Sequence, residues 1–241
     1  MHFSHAFARA SPRATQPDAW LCQMNPWALI SIFGESVFLL PCAGFLYLWM
    51  RWHGVAALAW HWLLAFTVAA GTVLVSKLAF MGWGIGSARL DFTGFSGHAM
   101  MAASILPVVF YVAMPARRPG LSLLAALAGV LLALAVGVSR LALHAHSVSE
   151  VVGGLALGFL VSLPIVLRHG LPRGPRTMLL LCAMLASLLV LPVEGLAGAT
   201  HVIVQDLAMR LSGRDRPFQR GEWAALPRMW IHTASLQRNG R

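Results

Sequence analysis

Three short clusters in this sequence hold residue types that handle phosphate: Lys77, the triplet Ser96-Gly97-His98, and the stretch from Ser139-Arg140 through His146 to Glu150. Lys77 and Arg140 are fixed cations suited to a group of anionic oxygens, and an arginine fork can hold two oxygens at once. Two histidines beside such a group can divide a transfer between them, one attacking and one moving a proton, because imidazole titrates near working pH. Glu150 follows His146 by four residues, so a helix beginning there puts both on one face. A carboxylate bonded to one ring nitrogen fixes the tautomer and leaves the other free to attack phosphorus.

Each feature also has a plainer explanation. Ser147-Val148-Ser149-Glu150 is a capping box, in which Glu150 satisfies the first N–H groups of its own helix. Lys77 and Arg140, taken singly, fit residues snorkelling to a membrane surface. His144 reads as a loop residue. His61 and Glu35, inside apolar runs, read as interhelical hydrogen-bonding groups. The glycines from Gly82 to Gly86, with Gly94 and Gly97, suit either close backbone approach to an anion or loop flexibility.

The elements that carry these clusters are apolar. Of 241 residues, 58% are hydrophobic and 11% charged, against about 25% charged in soluble chains; mean hydropathy is +0.71. That deficit excludes a water-soluble globular fold. About 20 apolar residues are needed to span a bilayer as a helix, and the runs that qualify or nearly qualify are Trp27–Met50, Val55–Ser76, Ala99–Met114 (extending from Gly97 to Ala116), Leu121–Val138, Val148–Leu167 and Thr177–Val193. None shows period-2 alternation, which disfavours a β-barrel. The expected fold is an all-α polytopic membrane protein of about six transmembrane helices, with residues 24–195 as the membrane domain, 1–23 as a polar leader and 196–241 as a basic tail.

Short connections make neighbouring helices antiparallel and so sort the loops by side. The linkers with Arg51, Arg117, Arg118, Arg168, Arg173 and Arg176 lack acidic residues, the cytoplasmic signature of the positive-inside rule. The other face gathers the 77–97 loop, the 139–147 loop and both termini, and in a bacterial inner membrane it looks into the periplasm. The phosphate-handling residues all fall at helix ends on that face and come from the second to fifth helices. Two of those helices present N-termini there, a ready cradle for phosphate. The tail carries seven arginines from Gly195 onward, which weighs against this orientation only weakly because charge far from a span is a poor topological signal. Within the tail, Val202, Ile203, Leu207 and Leu211 alternate with Asp206 and Arg210 as an amphipathic helix does, lying in the interface or docked on the bundle.

Cys22, Cys42 and Cys182 have neither disulfide nor metal spacing and read as small hydrophobes. The net charge of +10 is scattered over loops and tail with no basic stripe interleaved with aromatics, so anionic lipid, not nucleic acid, is the expected partner. Oligomeric state is not written in the sequence.

In its motifs the chain resembles the type 2 phosphatidic acid phosphatase (PAP2) superfamily, membrane lipid phosphatases related to vanadium haloperoxidases. The family pattern is a Lys followed after six residues by Arg-Pro, then Pro-Ser-Gly-His, then Ser-Arg followed after five residues by His and after three more by Asp. Here the third part is SRLALHAHSVSE, Ser139 to Glu150, with Glu in the Asp place, and the second is FSGH, Phe95 to His98. The resemblance implies His146 as a nucleophile forming a phosphohistidine and Glu150 as its orienting acid. It implies His98 as acid towards the leaving alcohol and then base towards water, with Lys77, Ser96, Gly97, Ser139 and Arg140 as phosphate ligands. It implies no cofactor and no metal, the cationic cradle stabilising the transferring oxygens instead. Gly84-Ile85 stands where Arg-Pro is expected, so one phosphate cation is missing; Arg89, and Arg216 in the tail, are the residues considered to replace it. The implied activity is hydrolysis of a membrane lipid phosphate or pyrophosphate. Non-catalytic binding or transport of such a lipid, and phosphoryl transfer between lipids, are the alternatives.

Overall fold

In a computed structural model the described residues are 25–114, 119–167 and 193–224. They form α1 (Pro26–Ile32), α2 (Ser36–Trp52), α3 (Ala56–Trp83), α4 (Gly97–Ala113), α5 (Pro119–Ala142), α6 (Val148–Leu167), α7 (Val193–Ser212) and a 3-10 turn, Arg220–Ala224. No sheet occurs among them; one isolated bridge pairs Ser87 with Phe92 in the α3–α4 loop. Four stretches are long and apolar enough to cross a membrane: Pro26–Trp52, Ala56–Trp83, Pro119–Ala142 and Val148–Leu167. With Leu40, Leu64, Leu131 and Leu160 all more than half exposed on their outer faces, the chain is an integral membrane protein. The expected sixth span, Thr177–Val193, lies outside the described residues except for Val193, as do the 1–23 leader and Cys182.

α4 is the axis of the bundle. At 17 residues it is about 26 Å long, and nearly every position from Ala99 to Val112 is buried. α5 and α6 close on it because glycines let backbones touch. A Cβ on Gly129 would lie 2.7 Å from the Leu106 carbonyl oxygen, one on Gly154 would lie 2.5 Å from that of Ser96, and Gly158 meets the Met100 carbonyl equally closely. The N-terminus of α4, with its Ser96-Gly97-His98 triplet, is therefore fixed against α6.

Three departures from the sequence expectation each move a polar residue. The first run is two helices, broken at Phe33–Glu35; Gly34 sits in the break, where a Cβ would come within 2.5 Å of Val136 and 3.1 Å of His98. α3 continues seven residues past Ser76 to Trp83, so Lys77 rides on a helix rather than opening a loop. α5 continues past Val138 to Ala142, which puts Ser139 and Arg140 in its last turn. Hydropathy stops at the first polar residue; backbone hydrogen bonding does not, and buried polar side chains can extend a helix as long as they find partners.

Candidate active site

α3 stops at Gly84. Its φ of +71° is the left-handed conformation glycine adopts freely, and the Gly84 and Ile85 amides donate back to Phe80 and Ala79 in a Schellman-type cap. The following loop is pinned beside α3: the Phe95 amide donates to Ser76 Oγ at 3.1 Å, and Gly94 lies so close to Lys77 that a Cβ would sit 3.1 Å from its side chain. From there the chain enters α4 at Ser96, whose amide donates to the Glu150 carbonyl at 3.0 Å.

On the other side, α5 ends in a five-residue turn. The amides of Ala145 and His146 fold back on the Arg140 carbonyl, and His144, exposed and at φ +52°, makes the reversal. His144 is thus a turn residue. The turn delivers His146 beside the first turn of α6.

Glu150 is fully buried and is the anchor of the cluster. Its Oε2 accepts from His146 Nδ1–H at 2.7 Å and from the Ser147 amide at 3.2 Å, while Ser147 Oγ accepts from the Glu150 amide at 3.4 Å. The capping box and the histidine–carboxylate pair are therefore the same carboxylate at work. Oε1 accepts from the Thr93 amide at 2.6 Å, from Thr93 Oγ1–H at 2.5 Å and from Arg220 Nη2 at 2.9 Å. With Nδ1 committed, Nε2 of His146 is the nitrogen left for chemistry. Burial holds the His146 ring below the ordinary imidazole value, against the raising pull of the Glu150 hydrogen bond and with a smaller lowering contribution from Lys77.

A second histidine–carboxylate pair faces the first. His98 Nε2 lies 2.9 Å from Glu35 Oε1, an ion-pair distance rather than an aligned hydrogen bond. Glu35 does bridge helices, as its place in an apolar run implied, but its partner is the candidate proton donor. The available signal was that Glu35 is the sole acidic residue in the sequence between Pro26 and Trp83. Arg140 is close enough to both Glu35 and His98 to interact electrostatically, and its Nη1 donates to Ser31 Oγ at 2.7 Å. Buried Arg140 Nε and Ser96 Oγ have no hydrogen-bond partner among the described residues, and Ser96 Oγ does not cap its own helix. Two orphaned donors beside an open helix N-terminus are what an anion site needs. Ser139, by contrast, spends its hydroxyl on the Val136 carbonyl at 2.7 Å. Lys77 acts electrostatically on both histidines and has no ion pair among the described residues. His61 bonds its own helix at the Ala57 carbonyl and takes no part.

The C-terminal segment reaches this site. α7 packs on α3, burying Ala208, and sets His201 near Lys77 and His146; burial first, then those two charges, lower the His201 pKa. Beyond α7, Phe218 donates its amide to the Met81 carbonyl at 2.7 Å, and Arg220 meets Asp91, Thr93 and Glu150. The two cations considered from sequence stand elsewhere. Arg216 is exposed and 3.8 Å from Glu222. Arg89 is exposed on an open cleft of about 440 Å³ that it lines with Asp91, His146, Ser147 and Ser149.

Residues 82–171, which carry the Ser96–His98 and Ser139–Glu150 motifs, match the family model of the PAP2 superfamily. Phosphatidylglycerophosphatase B of Bacillus subtilis is 31% identical over 173 residues, 65% of this chain and 78% of that protein. This chain belongs to the PAP2 superfamily. An uncharacterised 22.5 kDa protein of the cps region of Klebsiella pneumoniae is 38% identical over 200 residues, 80% of this chain and 95% of that one. No solved structure matches. As a PAP2 member the chain carries its hydrolase-type cluster, His98, Arg140, Glu150 and Arg220, on a helical membrane fold.

Proposed function

We propose that this protein hydrolyses a membrane lipid phosphate or pyrophosphate through a phosphohistidine at His146. The observation that carries the proposal is the 2.7 Å bond from His146 Nδ1–H to the buried carboxylate of Glu150, which leaves Nε2 as a neutral nucleophile. Nε2 attacks phosphorus and the bond to the leaving oxygen breaks, while His98 hands that oxygen a proton. Water then attacks the phosphohistidine, His98 takes back a proton, and inorganic phosphate leaves with His146 restored. Lys77, Arg140, Ser96 Oγ and the first amides of α4 hold the equatorial oxygens and stabilise charge developing there.

Placement supports the substrate class. The cluster sits at helix ends beside lipid-facing surface, so a phosphorylated headgroup can enter while its acyl or isoprenoid chain stays in the bilayer. The name of the Bacillus relative, a phosphatidylglycerophosphatase, supports a phospholipid headgroup. A six-span bundle with the site on the periplasmic side of a bacterial inner membrane completes the proposal, resting on the basic linkers of the opposite face.

Protein in detergent is expected to release phosphate from phosphatidate, phosphatidylglycerol phosphate or an isoprenoid diphosphate. His146→Ala should lower that rate by at least about 10³-fold. Acid-labile, base-stable label at residue 146 after a rapid quench separates hydrolysis from lipid binding alone. Failure to release phosphate from the whole panel, with no label trapped, defeats the proposal.

A further inference from the structure

We infer that Arg220, from the C-terminal segment, is a positioning residue of this site that keeps His146 unprotonated by supplying the countercharge of Glu150. The inference rests on the proposed function for its consequence and on geometry for its content.

A fully buried carboxylate must be balanced by a nearby positive charge or be neutralised. Two groups can provide that charge in direct contact with Glu150. One is the His146 ring, 2.7 Å from Oε2, which is cationic only when doubly protonated and then has no lone pair with which to attack. The other is the Arg220 guanidinium, 2.9 Å from Oε1. A guanidinium is a permanent cation, so this contact compensates Glu150 without a second proton on His146. The two oxygens thus have separate duties: Oε1 is compensated by Arg220 and Thr93, and Oε2 orients the nucleophile.

The segment is seated to do this. Phe218 packs edge-on against Phe80 with ring centroids 5.6 Å apart, and its ring lies 3.0 Å from where a Cβ on Gly84 would be. The tail therefore fills the space beside Gly84, the position at which the motif departs from Arg, and sends its own arginine inward two residues later. Arg220 is held from the other side by Asp91, with Nη1 at 2.5 Å from Oδ2, and Asp91 is one of only two non-glycine residues at positive φ among the described residues. Arg214 and Arg216 flank Glu222 and brace the turn.

Several other charges face His146: Lys77 on α3, Arg140 on α5 and His201 on α7 act on it through space, and Asp91 shares its cleft. The cations among these also disfavour imidazolium, but none touches Glu150. Removing Arg220 leaves protonation of His146 as the contact-range way to compensate the buried carboxylate.

The test is ¹⁵N-histidine NMR titration of the full chain in detergent micelles, which reads the His146 midpoint whatever the natural substrate is. Arg220→Gln should raise that midpoint by about one unit, and Arg220→Lys, which keeps the charge, should return most of it. Arg220→Met, which removes the charge and keeps a long side chain, should raise it as Gln does. An unmoved midpoint in Arg220→Gln overturns the inference even if activity falls, because a merely structural tail would lower rate without moving the titration. If the Gln variant does not fold, Arg220→Met decides by the same sign. Phosphate release that survives His146→Ala defeats the proposed function instead, and is read in a different experiment.

Discussion

Glu150 satisfies five donors from three parts of the chain, and its length is what allows this. One departure from the family motif is the extra methylene relative to Asp. Oε1 reaches Thr93 at 2.5–2.6 Å while Oε2 spans to His146 and the Ser147 amide. A shorter acid on the same backbone cannot hold both groups. Glu150→Asp, although it restores the family residue, is therefore expected to lower kcat by about 10²-fold, the usual penalty for misplacing a reacting group by about 1 Å. An unchanged or higher kcat would mean that the Thr93 contacts do not position the carboxylate. The His146 ring gives a second expectation at this scale. Since burial lowers its pKa below the ordinary imidazole value, protonation disables the nucleophile only below about pH 6.5. The acid limb of kcat/KM for phosphatidate should fall below that value, and a limb above it would contradict a buried, neutral nucleophile. Glu35 provides a third. A carboxylate 2.9 Å from His98 is the partner an imidazolium needs before it can protonate a leaving alcohol. Glu35→Gln should cost at least about tenfold on a lipid phosphate and little on p-nitrophenyl phosphate, whose phenolate leaves without a proton; equal losses on both would assign Glu35 to structure only.

At the scale of elements, the site depends on where α4 begins. Ser96 is locked through its amide to the Glu150 carbonyl and through its own carbonyl to the face of Gly154. A methyl group at Gly154 has no space, and the atom it meets is backbone. Gly154→Ala should push the α4 N-terminus off α6, cost about 1–3 kcal/mol of stability, and reduce kcat more than a lipid-facing control such as Leu160→Ala does. Detergent melting and phosphate release, measured together, check this. Part of this arrangement was legible in the sequence: Ser96-Gly97-His98 had to open a helix, and His146 had to fall close to Glu150. The helix expected to carry both begins at Val148, so the α5–α6 turn, not a shared helix face, delivers His146 to the carboxylate. The helix limits were less legible. Lys77, Ser139 and Arg140 lie within helices whose apolar runs stop short of them, since hydropathy registers side chains and the helix is made by backbone. The break at Gly34 was hidden for the converse reason: an apolar run continues across it, and the close approach of Val136 and His98 there is a tertiary contact. Arg220 could not be singled out among the tail arginines because no local pattern links residue 220 to residue 150. The link is made by the docking of α7 on α3 and of Phe218 on Gly84, both tertiary events.

For the molecule as a whole, the cluster and the Arg51–Gly54 linker lie at opposite ends of α3. α3 alone is 28 residues, about 42 Å, and separates the Arg51–Gly54 turn from the loop that begins at Gly84. Trp52 and Trp60, exposed near the first end, and Trp83 at the second are spaced as interfacial aromatics are. The acidic groups of the site, Glu35, Asp91 and Glu150, are each paired with His98, Arg220 or His146, so they exert little net pull on orientation, whereas Arg51 sits in a linker without a carboxylate. The proposed orientation puts His53 on the cytoplasmic side and Arg89 outside. With Cys22, Cys42 and Cys182 changed to Ser, a cysteine at position 89 should react with a membrane-impermeant maleimide added to intact bacterial cells whose outer membrane admits the reagent. One at position 53 should react only after the inner membrane is opened. The reverse pattern would put the site in the cytoplasm and with it the leaflet whose headgroups the protein can reach. The two positions belong to the ends of one continuous helix and the loop beyond it, so they cannot both label from the same side unless α3 fails to cross the bilayer.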